Sequence, residues 1–581
     1  MHLTAHSIAL AAFASPIDFL FRTWSFNFLG HDIFAHDYWQ QTMDFFRIGL
    51  ALVAAGLLLI EARAKKLGET LSAKTTKRIG IAFTILGFLA YFDGFNPNVR
   101  YSNYYHRHEF YHYYLGSKYS QALGYTRLYE CTMIAEVENG RGAQVQKREI
   151  RDLSVNLIRP VGETFLFQHP EECKKRFSPD EWQAFKKDVS WFESTSRGGY
   201  WENMQQDHGY NPPPVWTMTG KLFSSFAPAG DGFFKLLSTL DIALQAGTLV
   251  VLAWAFGWRV MAVASVFWGT NAAANFYWTG GAFLRQDWVF LLVASVCCAR
   301  KRKFALSGAA LTWSSLLRVF PMIVFAGWAI VVGFHFLKHR KLHPDHQRLI
   351  MGCIVAGGLL IPTSMVVAGP ESWREFAAHI KVHNRTPLTN HMGLETMLVH
   401  DWHGRMRFTR DSTLDDPFEL WKQGRRDRFD HLKPVFFAMN AGVLLWMAWA
   451  LRRTKSLWIA AGLAVPLVIS LTNLTCYYYC MFLITIPLIA VMPSLAPALL
   501  VTAGASQIVL RSFYFIDDQY TAESYLFYAM GLLVLYAFSR PFSMERLRAW
   551  RAGRPEPKSP TRGAPPSPPS LSPPPEARAT N

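Results

Sequence analysis

Apolar runs of bilayer length, or close to it, recur along the chain and constrain its fold more than any other feature. They lie at 44–62, 79–93, 236–257, 259–279, 286–299, 304–337, 348–369, 434–451, 457–473, 476–493, 494–511 and 520–539. A spanning helix needs about 20 residues, and the 304–337 run is long enough for two short helices broken at Leu317–Pro321. Only 17% of residues are charged, against roughly 25% in soluble domains. The pattern predicts an all-α polytopic membrane protein with about thirteen transmembrane helices.

Lysine and arginine concentrate in one subset of the short loops, which predicts the orientation of the chain. These loops are 61–78, 298–303, 337–348 and 451–455, and the tail after Phe538 is basic as well. Positive loops are typically cytoplasmic, so the large segments 94–235 and 370–433 should lie on the outer side. The net charge of +17 is then explained by topology and contact with anionic lipids, without nucleic acid.

The spans and loops divide the chain into seven parts. These are an N-terminal interfacial segment (1–43), two first spans (44–93), a large outer segment (94–235), central membrane helices (236–369), a second outer segment (370–433), C-terminal membrane helices (434–539) and a disordered, basic, proline-rich cytoplasmic tail (540–581). The apolar stretch 7–21 lacks a basic flank, which disfavours a cleaved signal peptide; an extra span is its alternative.

Two cysteines, Cys131 and Cys173, lie in the large outer segment, and the other five lie in predicted spans. An oxidising compartment would allow the outer pair to form a disulfide. The sequence leaves open whether they come close enough to do so.

Polar residues gather just after the 79–93 run. Asp93 ends that run in "YFDGFNP", at a depth where an unpartnered carboxylate is costly. It is followed by Arg100, His106, Arg107, His108, Glu109 and His112, among seven tyrosines between 101 and 119. An interfacial aromatic belt would explain the tyrosines, but not the density of charged residues and histidines. We therefore interpret this stretch as part of a functional site.

Three further polar positions fall on the same predicted side. Arg285 and Asp287 occupy a short connection, where a simple surface ion pair is the alternative interpretation. Arg318 stands at the apex of the 304–337 hairpin, and an arginine deep in an apolar run suits an anionic group such as phosphate. The second outer segment contributes "HNRTPLTNHMGLETM", which includes Asn390.

His108, Glu109 and His112 form the pattern His-Glu-x-x-His. On a helix this places two histidines on one face, where they can hold zinc while the glutamate acts as a general base. A zinc site also needs a third protein ligand, and the sequence marks none. We expect that His108 and His112 do not converge with a third ligand, and a zinc metalloprotease remains an alternative.

Taken together, "YFDGFNP", "SGAALTWSSLLRVFPMIVFAGWAIV", "HMGLETM" and "NLTCYYYCMFLITIP" resemble the GT-C superfamily of integral-membrane glycosyltransferases. The likeness is to the bacterial polyprenol-phosphate-mannose-dependent mannosyltransferases and covers residues 79–540 in architecture. The large tyrosine-rich outer segment and an additional early span depart from that family. The resemblance implies a hexosyltransferase that moves a sugar, such as mannose, from a polyprenyl-phosphate donor to a glycan, lipid or protein acceptor.

The resemblance also implies roles for particular residues. Asp93 would be the catalytic base that takes the acceptor's proton. The donor phosphate would be bound by Arg318, Arg285 and Arg100. Substrate would be bound by His106, Arg107, His108, Glu109, His112, Asp287 and Asn390. No metal is assigned in this interpretation, although a divalent cation would fit.

The expected location is a cell membrane, in particular a bacterial inner membrane, with the site on the outer face and in contact with lipid. Asp93 and Arg318 should then share one outward-facing cavity. A lipid-linked oligosaccharide ligase is an alternative enzyme. A multi-pass transporter is the alternative from another class, and its polar residues should line a path near the bilayer midplane.

Overall fold

A computed structural model describes residues 36–69, 72–96 and 104–539, together with the paired strands Asn27–Phe28 and His31–Asp32. Helices dominate these residues, and the strands form only three two-stranded pairs. The prediction of an all-α protein is confirmed. Arg100, the 7–21 stretch and the 540–581 tail lie outside the described residues.

Seven helical segments are long and apolar enough to cross a membrane, which confirms the membrane class. They are Tyr38–Lys66, Asp231–Phe256, Phe320–His339, Pro344–Ala368, Glu419–Leu451, Leu495–Ser512 and Ile516–Ser539. Shorter apolar helical segments are Phe304–Leu317, Leu457–Leu471 and Cys476–Ala490. Ala73–Tyr91, Trp258–Thr270 and Asp287–Arg300 complete the helices in the predicted membrane region. The count of thirteen spans stays a prediction.

The two ends of this helix bundle differ in composition. At one end, which we call the basic end, the predicted cytoplasmic loops meet: Arg259 is paired with Glu61 at 2.6 Å, and Arg302 with Asp345 at 3.2 Å. The other end, which we call the domain end, carries the large segment 104–230 and the second segment 372–418. The basic loops and the polar segments thus separate as the charge pattern predicts.

Small residues allow neighbouring helices in the bundle to approach closely. A Cβ added to Gly269 would lie 1.9 Å from the carbonyl oxygen of Gly87, and one added to Gly352 would lie 1.9 Å from that of Ala305. Such contacts are typical of membrane helix packing, where close backbone approach replaces the hydrophobic driving force.

The break predicted in the 304–337 run is confirmed. The helix Phe304–Leu317 ends as Arg318 adopts an extended backbone, and a 3-10 turn, Phe320–Val324, leads into the helix Phe325–His339. Pro321 lies in this turn because it lacks an amide hydrogen and cannot continue a helix interior. The hairpin apex therefore presents Arg318 at the domain end.

Residues 104–230 form a compact domain of short helices and one strand pair, which we call the outer domain after its predicted side. Its helices are Arg107–Lys118, Ser120–Leu123, Leu128–Glu136, Val137–Arg141, Gly142–Val145, Phe165–Gln168, Pro170–Lys174, Pro179–Thr195, Gly198–Met204 and Pro214–Ser224, and its strands are Glu149–Asp152 and Leu157–Pro160. Shorter 3-10 turns lie at Asp93–Phe95 and Val161–Glu163. Its core is aromatic, and Phe110 and Phe192 both stack on Phe234 of the helix Asp231–Phe256.

The outer domain contains the disulfide that the sequence allowed. Cys131 and Cys173 are joined, with their Cα atoms 6.0 Å apart, and both are fully buried. A disulfide here fits an oxidising compartment, as the predicted outer placement requires. The second outer segment, with helices Ser372–Asn384 and Leu394–Val399, is tied to the bundle by strand His391–Met392, which pairs with Leu474–Thr475.

Candidate functional site

The His-Glu-x-x-His pattern lies on the helix Arg107–Lys118, which we call the motif helix. His106 precedes it as the N-cap, and its Nδ1 accepts from the Glu109 amide at 3.4 Å. The His106 amide donates to the Gly281 carbonyl at 2.7 Å. A Cβ at Gly281 would lie 2.4 Å from the Tyr104 carbonyl oxygen, and its φ is +68°. Glycine at this position therefore lets the start of the motif helix rest on the 280–286 loop.

Two faces of the motif helix carry different chemistry. Because residues four apart share a helix face, His108 lies above His112, and Glu109 lies above Tyr113. The first face is turned toward Asp207 and the second toward Arg285. The pattern thus contributes to two adjacent polar groups rather than one.

Arg285 is buried at the second face. Its Nε lies 3.0 Å from Glu109 Oε2, and its Nη1 donates to the Tyr113 hydroxyl. Its guanidinium also covers the rings of Tyr113 and Tyr477, at 4.4 and 5.3 Å from their centroids. These contacts fix the guanidinium in a partly aromatic cage, where cation–π attraction adds to the ion pair.

Asp241, in the helix Asp231–Phe256, holds the loop that carries Arg285. Its carboxylate accepts from the amides of Arg285, at 2.9 Å, and Gln286, at 3.0 Å. A buried carboxylate with such donors is satisfied by backbone rather than by water. Asp241 therefore positions the arginine.

Arg318 completes this group from the hairpin apex. Only 6% of the residue is exposed, and its guanidinium lies 6.0 Å from the Trp216 ring centroid. Arg285 and Arg318 line one small cavity together with Thr279, Gln286, Trp288, Tyr477, Tyr478 and Cys480. Its volume of about 10 Å³ is room for one water, so a larger ligand requires side chains to move.

Several polar atoms around this cavity are buried without a hydrogen-bond partner among the described residues. Arg318 Nη1 donates to the Leu317 carbonyl at 2.7 Å, whereas its Nη2 has none. Gln286 Oε1 and Asp287 Oδ2 are also unsatisfied. Native proteins rarely leave buried polar groups unpaired, and an exception calls for a specific explanation such as a ligand. We call this cavity the arginine cavity, and we include with it Glu109 and Asp287, which do not line it but interact with its arginines.

The surface ion pair considered for Arg285 and Asp287 is wrong, because both residues are buried. Asp287 begins the helix Asp287–Arg300, and its Oδ1 accepts from the Trp288 amide at 2.7 Å. It lies close enough to both Arg285 and Arg318 to interact with their charges. Asp287 is thus a member of the arginine cavity.

Asp93, the predicted base, occupies a different environment. It is buried and forms an ion pair with Arg47 of the helix His36–Lys66, and its carbonyl accepts from Trp39 Nε1 at 2.8 Å. Arg47 also donates to the Ala90 carbonyl and to Asp44, at 2.8 and 3.0 Å. Asp93 lies at the domain end, as expected, but it is absent from the residues that line the arginine cavity.

On the first face of the motif helix, the prediction that His108 and His112 lack a third ligand is wrong. We expected His108 and His112 to lack a converging third ligand, yet Asp207 joins them. One potential ligand atom from each residue lies within 4.8 Å of the others. His108 Nε2 is 2.8 Å from Asp207 Oδ2. Asp207 lies 99 residues from His108, on the loop after helix Gly198–Met204, so no local spacing marks it.

The protonation states of this trio follow from their surroundings. Burial lowers the pKa of His108, but the hydrogen bond and charge of Asp207 outweigh burial, and its pKa is raised overall. Burial, reinforced by the charge of His108, lowers the pKa of His112 to about 4. The hydrogen bond and the charge of His108 hold the pKa of Asp207 well below its usual value. These shifts favour an ion pair between Asp207 and His108, and they keep His112 neutral at neutral pH.

The remaining predicted site residues have other contacts. Arg107 points into the outer domain, where it donates to the Thr195 carbonyl and covers the Trp191 ring at 5.8 Å. Asn390 is partly buried, and its carbonyl accepts from the Cys476 amide at 2.9 Å. His106 caps the motif helix. None of these three residues lines the arginine cavity as described.

Residues that the sequence did not single out build much of the site. Tyr113, Trp216, Tyr477 and Tyr478 surround the arginines, and Asp241 holds their loop. Asp241 alone carried a signal, because a carboxylate inside an apolar run is rare unless functional. The aromatic residues are indistinguishable in sequence from an interfacial belt.

Comparison of the chain with protein-family models, with characterised proteins and with solved structures found no match. The site must therefore be interpreted from its own chemistry.

Proposed function

We propose that the protein is a GT-C-type hexosyltransferase, with about thirteen spans, that transfers a sugar from a polyprenyl-phosphate donor at the outer face of a bacterial inner membrane. The observation that carries the proposal is the arginine cavity. Two buried arginines from separate segments line it, and Arg318 Nη2 has no hydrogen-bond partner among the described residues. Guanidinium groups bind phosphate oxygens in a bidentate manner and keep their charge when buried.

The position of the cavity suits a donor with a lipid tail. Val319 and Met322, which follow Arg318 at the hairpin apex, are about half exposed. In a bilayer such apolar side chains face acyl chains. A phosphate bound at Arg318 could therefore keep its polyprenyl chain in the membrane while the sugar extends toward the outer domain.

The charges in the cavity suggest how the acceptor is activated. Arg285 and Arg318 face the carboxyl groups of Glu109 and Asp287, so an incoming phosphate competes with these carboxylates for the arginines. When phosphate binds Arg285, Glu109 loses its ion pair and becomes a stronger proton acceptor. In this proposal Glu109 takes the proton of the acceptor hydroxyl as that oxygen attacks the anomeric carbon and the phosphate leaves.

The zinc protease alternative receives less support from the same contacts. In that mechanism the glutamate of His-Glu-x-x-His must act on a metal-bound water. Glu109 instead lies against Arg285, on the neighbouring face of the motif helix. The transporter alternative requires polar residues along a midplane path, whereas the two arginines lie where helices end at the domain end.

The test is sugar transfer from radiolabelled polyprenyl-phosphate mannose in membranes that contain the protein. Arg318→Ala should lower transfer about 10²–10³-fold, the usual effect of removing one preorganised charge-stabilising donor. Arg318→Lys should recover only part of it, because an ammonium cannot bind two oxygens in a fixed plane. Arg374→Ala is the matched control, since Arg374 is exposed at the same end and pairs with Glu371.

Protein levels in the membrane should be equal for all variants. Unchanged transfer by Arg318→Ala, or an equal loss in Arg374→Ala, would contradict the assignment of the cavity. If the wild-type protein does not use polyprenyl-phosphate mannose, the same assay with other polyprenyl-phosphate hexoses tests which sugar it transfers.

A further inference from the structure

We propose that His108, His112 and Asp207 form a binding site for one divalent transition-metal ion of the zinc type, distinct from the arginine cavity. The potential ligand atoms of these three residues lie within 4.8 Å of one another. Two imidazoles and one carboxylate form a ligand set that zinc commonly takes in proteins. The inference does not depend on the proposed sugar transfer.

The orientation of His112 is suited to a metal ligand. Its Nδ1 lies 2.8 Å from the His108 carbonyl oxygen, and a carbonyl can only accept, so Nδ1 carries the proton. The lone pair of the neutral ring is then on Nε2. A ligating histidine is typically fixed by donating its other ring nitrogen to a backbone carbonyl or carboxylate. His112 already has this arrangement.

Tyr129 occupies the lone pair of His112 in the described structure. Its hydroxyl lies 2.6 Å from His112 Nε2 and accepts from the Gly209 amide at 3.0 Å. Metal binding must displace the hydrogen bond from Tyr129 to His112, and it must also replace the proton between His108 Nε2 and Asp207, which is released to solvent. The hydroxyl keeps its bond from Gly209, so the displacement leaves no buried donor on the backbone unpaired.

The site is open on the side of Asp207. The Asp207 side chain is 46% exposed and that of His108 is 24% exposed, whereas His112 is buried. An ion can therefore enter from the solvent side, and three protein ligands leave a fourth tetrahedral position for water or another oxygen donor.

The contacts of Glu109 separate this site from a peptidase. Glu109 is the residue that would activate a metal-bound water, yet it contacts Arg285 on the adjacent face. The metal would instead join the motif helix to the loop at Asp207, two segments that are otherwise linked here by the His108–Asp207 ion pair. We therefore expect metal binding to stabilise the outer domain without peptide hydrolysis.

The experiment uses the full-length protein, purified in detergent and freed of metal by chelation. Isothermal titration with Zn²⁺ alone should give one site per chain, and Co²⁺ in its place should give the visible absorption of a low-symmetry site. Asp207→Asn and His112→Ala should each weaken Zn²⁺ binding at least about tenfold, by loss of a ligand. Tyr129→Phe should keep binding or strengthen it, because the competing hydroxyl is removed.

His169→Ala is the control, because His169 is exposed on the outer domain and far from the trio in sequence. Asp207→Asn changes a half-exposed side chain, so it remains informative if His112→Ala does not fold. Absence of Zn²⁺ binding by the wild-type protein would overturn the proposal. So would a site that survives both ligand substitutions, or one lost equally in His169→Ala.

Discussion

Two buried ion groups at the domain end differ in how completely their polar atoms are satisfied. Around Asp93, Arg47 uses its Nε and both terminal nitrogens to reach Ala90, Asp44 and Asp93. In the arginine cavity, Arg318 and Asp287 each keep an atom without a partner among the described residues. Burial alone does not separate them, since both groups are buried. The difference indicates two roles for buried charges at this end of the bundle. A charged group whose polar atoms lack hydrogen-bond partners is a candidate binding site, whereas one whose polar atoms are all paired links helices.

The largest expected effect tests which carboxylate is the base. Glu109→Gln should lower sugar transfer by about 10²–10⁴-fold, the usual contribution of general-base catalysis. Asp93→Asn should retain transfer per folded molecule, because its carboxylate is committed to Arg47. Transfer from polyprenyl-phosphate mannose, normalised to folded protein, measures both. The opposite result, with Asp93→Asn inactive and Glu109→Gln active, would return the role of base to Asp93.

The next effect concerns stability, which should depend more on the ion pair at Asp93 than on the arginine cavity. Arg47→Ala leaves Asp93 buried without its partner, and breaking one half of a buried ion pair typically destabilises a protein by about 3–5 kcal/mol. Arg318→Ala removes a guanidinium whose bonds are incomplete, so the loss should be smaller, about 1 kcal/mol. Thermal unfolding in detergent, followed by tryptophan fluorescence, compares the two variants. Equal destabilisation by Arg47→Ala and Arg318→Ala would show that hydrogen-bond satisfaction does not distinguish the two groups.

The smallest expected effect is a pH dependence of the free energy of unfolding, which arises from two histidines at the domain end. Burial lowers the pKa of His391 to about 3, and burial lowers that of His379 to about 4. The groups facing them are His383, which interacts with both, and Arg425 and His208, which interact with His391. An unfolded histidine titrates near 6.5.

Because the folded pKa values are depressed, the stability from these neutral histidines is complete above about pH 6.5 and is lost as the pH falls toward 4. Lowering the pH to 5.5 should cost about 1 kcal/mol for each histidine. His391→Gln should flatten the profile measured by thermal unfolding between pH 7.5 and 5. An unchanged slope in this variant would show that His391 does not titrate in that range.

Much of the architecture could be predicted because it follows from local physics. Bilayer-length apolar runs determine helices, and Pro321 after Arg318 predicts the hairpin apex. The arginines themselves were predictable, since a cation inside an apolar run needs a function or a partner. The partners were not: Tyr113 lies 172 residues from Arg285, and Arg47 lies 46 residues from Asp93. Which residues satisfy which charges depends on packing between distant segments, and no pattern in one sequence records it.

A contact between two segments that lie far apart in the chain has a consequence for how the protein is made. Asp44, on the helix His36–Lys66, pairs with Arg511, which lies 467 residues further along. At roughly 5–20 residues per second, the ribosome needs about 25–90 s to deliver that partner. Throughout this interval the helix His36–Lys66 lacks Arg511, and its buried Arg47 has Asp44 of the same helix as a partner, which offsets part of the cost of an arginine in the membrane. Asp93 emerges only 46 residues after Arg47, so the helices His36–Lys66 and Ala73–Tyr91 can complete this ion pair as a hairpin before the rest of the bundle is translated.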